Sequence, residues 1–170
     1  MSDMAERFAF LRGFLARPRE VASLVPSSRF LERRISRVID AGEAHTVVEL
    51  GPGTGGTTRA VLAELPADAR LLALDTNPAF VRRLQTLRDP RLTVVEASAA
   101  DLAAVLEAQH WPRPDVIFSG IPFSTMPEAV GREILAEAWQ VLAPGGRFMA
   151  YQFRDAVLRR GREVMGVPLV

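Results

Sequence analysis

Short apolar runs alternate with longer amphipathic stretches along most of this chain. The runs T-V-V-E-L (46–50), L-L-A-L-D (71–75), L-T-V-V-E (92–96), D-V-I-F-S (115–119) and R-F-M-A-Y-Q-F (147–153) are brief and rich in Val, Leu, Ile and Phe. Such runs predict strands buried on both faces, as in a parallel sheet. The stretches between them, 54–65, 77–87, 101–109 and 127–142, read as helices. Pro66 ends the first of these, Pro78 sits in the opening turn of the second, and P-G-G (144–146) turns the chain into the last strand. Upstream, residues 3–16 read as a helix that Pro18 stops. A further helix spans about 29–41, with Ser27 or Ser28 as its N-cap and Gly42 as its end. Strand-helix alternation requires right-handed crossovers, so the fold class is α/β with a doubly wound, mostly parallel sheet preceded by N-terminal helices. Residues 1–42 form the N-terminal helical part, and residues 43–170 the core. Ligands of such sheets bind at the carboxyl ends of the strands, where the strand order reverses.

The first strand runs into the densest glycine segment, V-V-E-L-G-P-G-T-G-G-T-T (47–58). Gly51, Gly53 and Gly55 allow a sharp turn and a close approach of the backbone to a ligand, just before a helix N-terminus. Gly51, Gly53 and Gly56 also satisfy G-x-G-x-x-G, so by that pattern alone a dinucleotide remains open. Glu49, inside the strand, suits the ammonium of an amino acid rather than a pyrophosphate. Asp75 ends the second strand, where a carboxylate can accept both hydroxyls of a ribose.

Glu49-Leu50-Gly51-Pro52-Gly53-Thr54-Gly55 resembles the E-x-G-x-G-x-G motif of the class I S-adenosylmethionine methyltransferases, and L-A-P-G-G-R-F (142–148) resembles the turn leading into their fifth strand. The resemblance implies a Rossmann-like fold and S-adenosylmethionine as cofactor. It implies cofactor contacts from Glu49, Gly51, Gly53, Gly55, Asp75, Thr76 and Ser119. Where the superfamily often places a carboxylate against adenine, this chain has Ser98, so Ser98 and Ala99 are the candidates there. Asp101 is expected to cap a helix.

S-G-I-P-F (119–123) resembles the N-x-P-Y or N-P-P-Y acceptor loop of amino-methylating enzymes, with Gly120 in place of the Asn and Phe123 in place of the Tyr. Together with N-P-A-F (77–80), P-S-S (26–28) and F-L-R-G-F-L-A-R-P (10–18), it resembles the bacterial soluble-type phospholipid N-methyltransferases, relatives of the ribosomal RNA adenine dimethylases. That resemblance implies methylation of the amine of phosphatidylethanolamine toward phosphatidylcholine. No residue announces itself as a general base. Ser119, Ile121, Pro122, Phe123, Tyr151, Ser27 and Ser28 are the candidates for the substrate mouth. Phe123, Tyr151 and Phe153 could hold a methylated ammonium by cation–π attraction, although each Phe also suits plain core. Family members usually continue through two more strands. The C-terminal strands are therefore expected to be shortened at V-P-L-V (167–170), leaving an edge that favours dimerisation.

Composition narrows the partners. Without cysteine, thiolate metal sites and thiol catalysis are excluded, and with His45 and His110 the only histidines, no metal site is expected. No apolar run approaches the roughly 20 residues of a membrane span. The start, M-S-D-M-A-E-R, has no signal-peptide pattern, so a cytoplasmic location is expected, peripheral at the inner face of the cell membrane. The net charge of +1 conceals +4 over residues 1–37, −6 over 38–146 and +3 over 147–170. Phe8, Leu11 and Leu15 share one helical face, widened by Phe10 and Phe14 and accompanied by Arg7, Arg12, Arg17 and Arg19. This helix either lies on anionic lipid or closes the site as a lid. The modest net charge and the missing Asn argue against nucleic acid as partner. The alternatives are an RNA or protein amino-methyltransferase and a membrane-associated cofactor-binding module without turnover.

Overall fold

The computed structural model describes residues 29–151, and side chains from residue 34 onward. The helix expected over 3–16, the Ser27 and Ser28 candidates, Phe153 and the tail beyond lie outside the described residues.

Helix α1 (Arg29–Val38) opens the described part. It ends earlier than Gly42. Asp40 turns into the left-handed region with φ 48°, and Gly42 lies inside a single 3-10 turn, Ala41–Glu43. An Asp in that conformation ends the helix without glycine because its short polar side chain tolerates it. Asp40 is further tied by an ion pair to Arg147, at the start of the last described strand.

From there strand and helix alternate: β1 (Thr46–Leu50), α2 (Gly56–Glu64), β2 (Arg70–Asp75), α3 (Pro78–Gln85), β3 (Leu92–Glu96), α4 (Leu102–Ala108), β4 (Val116–Ser119), α5 (Glu128–Val141) and β5 (Arg147–Ala150). The five described strands pair in the order β3-β2-β1-β4-β5, every pair parallel. The described part of β5 is shorter than the expected 147–153 and stops before Tyr151.

Alternation along each strand separates two cores. Val48, Leu50, Leu72 and Ile117 face α4 and α5, where they meet Leu106 and Leu135. Val47, Leu71 and Phe118 face the other way, onto Ile35 and Ile39 from the α1 segment and Val61 of α2. Each such side chain stabilises the fold by roughly 1.5–3 kcal/mol on burial. Helix α1 thus shares a core with the sheet. The winding reverses between β1, which leads out to β2, and β4, which lies on its other side. The carboxyl ends of β1 and β4 therefore splay around one crevice.

Candidate active site

Glu49 is the last but one residue of β1, opposite Ala73 of β2 and Phe118 of β4. It is fully buried. The Thr58 hydroxyl, in the first turns of α2, donates to Glu49 Oε2 at 2.6 Å. Glu49 Oε1 is buried with no partner. Burial pushes this carboxyl up to about 8; the Thr58 hydrogen bond opposes the rise and the nearby Asp75 charge adds to it. Ionising a carboxyl whose second oxygen has no partner is costly in so buried a place, and a cationic donor from outside the protein would remove that cost.

The loop after β1 is held between the two neighbouring strand ends. The Gly51 N–H donates to Leu74 O at 2.9 Å, and the Gly53 N–H to Asp75 Oδ2 at 3.1 Å. Gly51, Gly53 and Gly55 all have positive φ, between 56° and 79°. Gly53 is the informative one. A Cβ there would meet nothing within 4 Å among the described residues, so its open side faces space that none of them fills.

Asp75 closes β2 and is nearly buried. Its Oδ1 accepts the Asn77 N–H at 2.8 Å and its Oδ2 the Gly53 N–H. Burial raises its pKa, while the backbone N–H groups of Asn77, Gly53 and Thr76 pull it back down. An ionised carboxylate offers about four acceptor positions, so these bonds leave capacity for the hydroxyls of a ribose. Thr76 Oγ1, beside it, is buried without a partner. The chain then turns into α3, where Asn77 caps the helix by accepting the Ala79 N–H at 2.9 Å and Pro78 follows.

Ser98 lies past the end of β3, nearly buried, and its hydroxyl accepts the Ala100 N–H at 3.2 Å. Ser98 therefore caps the 3-10 turn Ala99–Asp101. Asp101 does not perform the cap expected of it, because its side chain makes no bond to the α4 N-terminus. Glu137 of α5 accepts the Ala103 N–H there instead, at 2.8 Å. Ala99 is buried and joins the core.

At the end of β4, Ser119 is fully buried, and its hydroxyl accepts the Ile121 N–H at 3.2 Å, which fixes the turn. Ile121 and Pro122 are half-buried at the rim. Phe123 differs in placement from its neighbours Ile121 and Pro122. It is wholly buried in the core on the α5 side of the sheet, because the loop folds back with the Phe123 N–H donating to Ile121 O at 2.9 Å. Tyr151 is half-buried and follows β5, its N–H donating to Ser119 O at 3.1 Å. His45 is exposed and faces Asp68 at 3.5 Å.

Glu49, Gly51, Gly53, Asp75 and Thr76 thus surround the ends of β1 and β2, and Ser119, Ile121 and Tyr151 those of β4 and β5. Two buried unpartnered oxygens and an open glycine face fit a ligand carrying an ammonium and hydroxyls. Thr58 was not among the residues singled out from sequence. Its only trace there is its position in the first turns of the helix that the glycine loop feeds.

Residues 47–146 match the methyltransferase domain family. The chain is 35% identical over 147 residues to an ornithine lipid N-methyltransferase of Singulisphaera acidiphila, covering 85% of this chain and 77% of that protein. It is 36% identical over 98 residues to the ribosomal RNA small subunit methyltransferase A of Phenylobacterium zucineum, covering 55% of this chain but 32% of the relative. Among solved structures, the N-methyltransferase NodS of Bradyrhizobium japonicum superposes with a TM-score of 0.63 at 20% identity, over 83% of this chain and 77% of that one. NodS has also been solved with S-adenosylhomocysteine bound.

Proposed function

The chain belongs to the methyltransferase domain family and is an S-adenosylmethionine-dependent methyltransferase, and from that premise we propose that it methylates the aliphatic amine of a membrane lipid. Phosphatidylethanolamine is one such acceptor, and the amine of an ornithine lipid, named for the relative from Singulisphaera acidiphila, is the other. The observation that carries this reading is the acceptor loop. A nucleobase lifted from its stack is held by aromatic faces and by hydrogen bonds to its edge. Here Phe123 is wholly buried, and residue 120 is a glycine with no room for a side chain. An aliphatic amine needs neither.

When bound, S-adenosylmethionine supplies an electrophilic methyl group on a sulfonium. We assign its amino-acid end to Glu49 and the glycine loop, its ribose to Asp75, and its adenine to the neighbourhood of Thr76, Ser98 and Ala99. The protein's part is then alignment, holding the acceptor nitrogen in line with the methyl. A labelled-methyl transfer assay tests the reading, offering phosphatidylethanolamine vesicles, ornithine lipid vesicles and RNA in parallel. Label is expected in lipid. Label in RNA and in neither lipid would overturn the proposal.

We further propose that residues 4–17 hold the protein to the inner face of the cell membrane, the lipid substrate being reached there. The helical spacing of Phe8, Leu11 and Leu15 in the sequence, with Arg7, Arg12, Arg17 and Arg19 interspersed and just after, is the support for this. Each Arg near an anionic surface contributes about 1 kcal/mol at low salt. In co-sedimentation the protein is expected to need anionic vesicles, to detach with added salt, and to bind less as Arg12→Glu or Phe14→Asp. Indifference to vesicles of every composition would refute the membrane contact.

A further inference from the structure

The end of β4 carries an unusual vacancy of side chains. A Cβ on Gly120 would lie 2.5 Å from Tyr151 Oη, 3.0 Å from Tyr151 Cζ and 2.8 Å from Gly51 O. No residue larger than glycine fits there without moving the backbone of the glycine loop or the tyrosine. Within residues 119–123 the only polar side chain is that of Ser119. Ser119 is fully buried with its hydroxyl on the Ile121 N–H, Ile121 and Pro122 are apolar, and Phe123 is in the core. The polar atom beside the loop comes from the neighbouring strand. It is also held in register: Ser119 pairs with Ala150, and the next residue, Tyr151, donates its N–H to Ser119 O at 3.1 Å.

We propose that Tyr151 is a specificity-determining contact of the acceptor, its phenol oxygen standing where a side chain on residue 120 would otherwise reach and accepting an N–H of the incoming amine. This rests on the amine-methylating function argued above. The chemistry follows from what an attacking amine carries. Its lone pair must point at the methyl group, so its remaining N–H bonds are the handles by which the protein can orient it. A phenol oxygen has lone pairs to accept such a bond. A primary amine brings two N–H bonds and a secondary amine one. A neutral tertiary amine brings none. Tyr151 therefore assists the first and second methyl transfers and has nothing to hold in the third.

The test is Tyr151→Phe, which removes one oxygen and keeps the ring. The probes are phosphatidylcholine vesicles containing phosphatidylethanolamine, its monomethyl form or its dimethyl form, with the corresponding ornithine lipids as a second set. The variant is expected to bind S-adenosylhomocysteine as the parent does. It is expected to lose about tenfold in kcat/KM on the unmethylated and monomethyl lipids, as for one hydrogen bond made to the reacting group. The loss on the dimethyl lipid should be several-fold smaller. Equal losses on all three substrates would make Tyr151 a structural residue and overturn the proposal, as would no loss on any. A parent protein that binds S-adenosylhomocysteine yet methylates none of these lipids would instead refute the lipid acceptor, a failure visible before the variant is compared.

Discussion

Asp75→Ala is expected to weaken S-adenosylhomocysteine binding by two to three orders of magnitude, and Gly53→Arg to abolish it. The carboxylate of Asp75 stands at the end of β2 with one oxygen on the Asn77 N–H and the other on the Gly53 N–H. Its spare lone pairs are the acceptors assigned to the ribose. Each hydrogen bond to a charged acceptor contributes about 1.5–3 kcal/mol, so losing two reduces affinity by roughly a hundredfold or more. Asp75→Asn keeps one acceptor oxygen and should fall between the parent and the alanine variant. Gly53→Arg acts by a different route. Among the described residues nothing lies within 4 Å of the Cβ position, so the new side chain enters the open face rather than the core, at a φ of +56° that an L-residue adopts at a cost of about 1–2 kcal/mol. Calorimetry reads both variants, and circular dichroism checks that each is folded. Parent-like affinity in the folded Asp75→Ala protein would place the ribose elsewhere.

The strands were legible because each is a short apolar run, buried in β1, β2 and β4 and half-buried in the edge strands β3 and β5. Asn77-Pro78 was legible as a helix start for the same local reason. What escaped was decided over distance. Asp101 has the composition of a cap, but Glu137, far along the chain, reaches the Ala103 N–H first. Phe123 sits where the resembling loop presents an aromatic ring, yet the turn after Ser119 folds it into the core. Gly42 looks like a helix end, while Asp40 makes the left-handed turn two residues sooner. Within the candidate site, the chain order exposed Glu49, the glycines and Asp75. The Thr58–Glu49 bond and the Tyr151–Gly120 contact both join separate elements, and no local pattern announces either.

Cofactor binding is expected to release a proton from Glu49, and affinity for S-adenosylhomocysteine is expected to rise with pH until about pH 8. The free protein holds this carboxyl protonated at neutral pH, since burial pushes it to about 8 from an ordinary 4.5. The sign for stability follows. Between those two values the folded chain keeps a proton that the unfolded chain gives up, so stability from this group is full below about pH 4.5 and is lost as pH rises through 8. At about 1.4 kcal/mol per pH unit the loss amounts to a few kcal/mol. Glu49→Gln has no proton to lose. The ligand-free variant should match the parent in Tm near pH 5 and exceed it near pH 8. Binding moves the other way. An ammonium beside the unpartnered Oε1 favours the carboxylate, so below pH 8 the ligand must expel the proton, and affinity gains up to tenfold per pH unit before it levels. Glu49→Gln should bind about ten to a hundred times more weakly at pH 8, for loss of the charged partner, and its affinity should lack the rise carried by this group. Calorimetry in two buffers of different ionisation enthalpy counts the proton directly. If no proton is released at pH 7 and parent and variant share one pH profile, the ammonium does not meet Glu49, and the orphaned oxygen serves some other group.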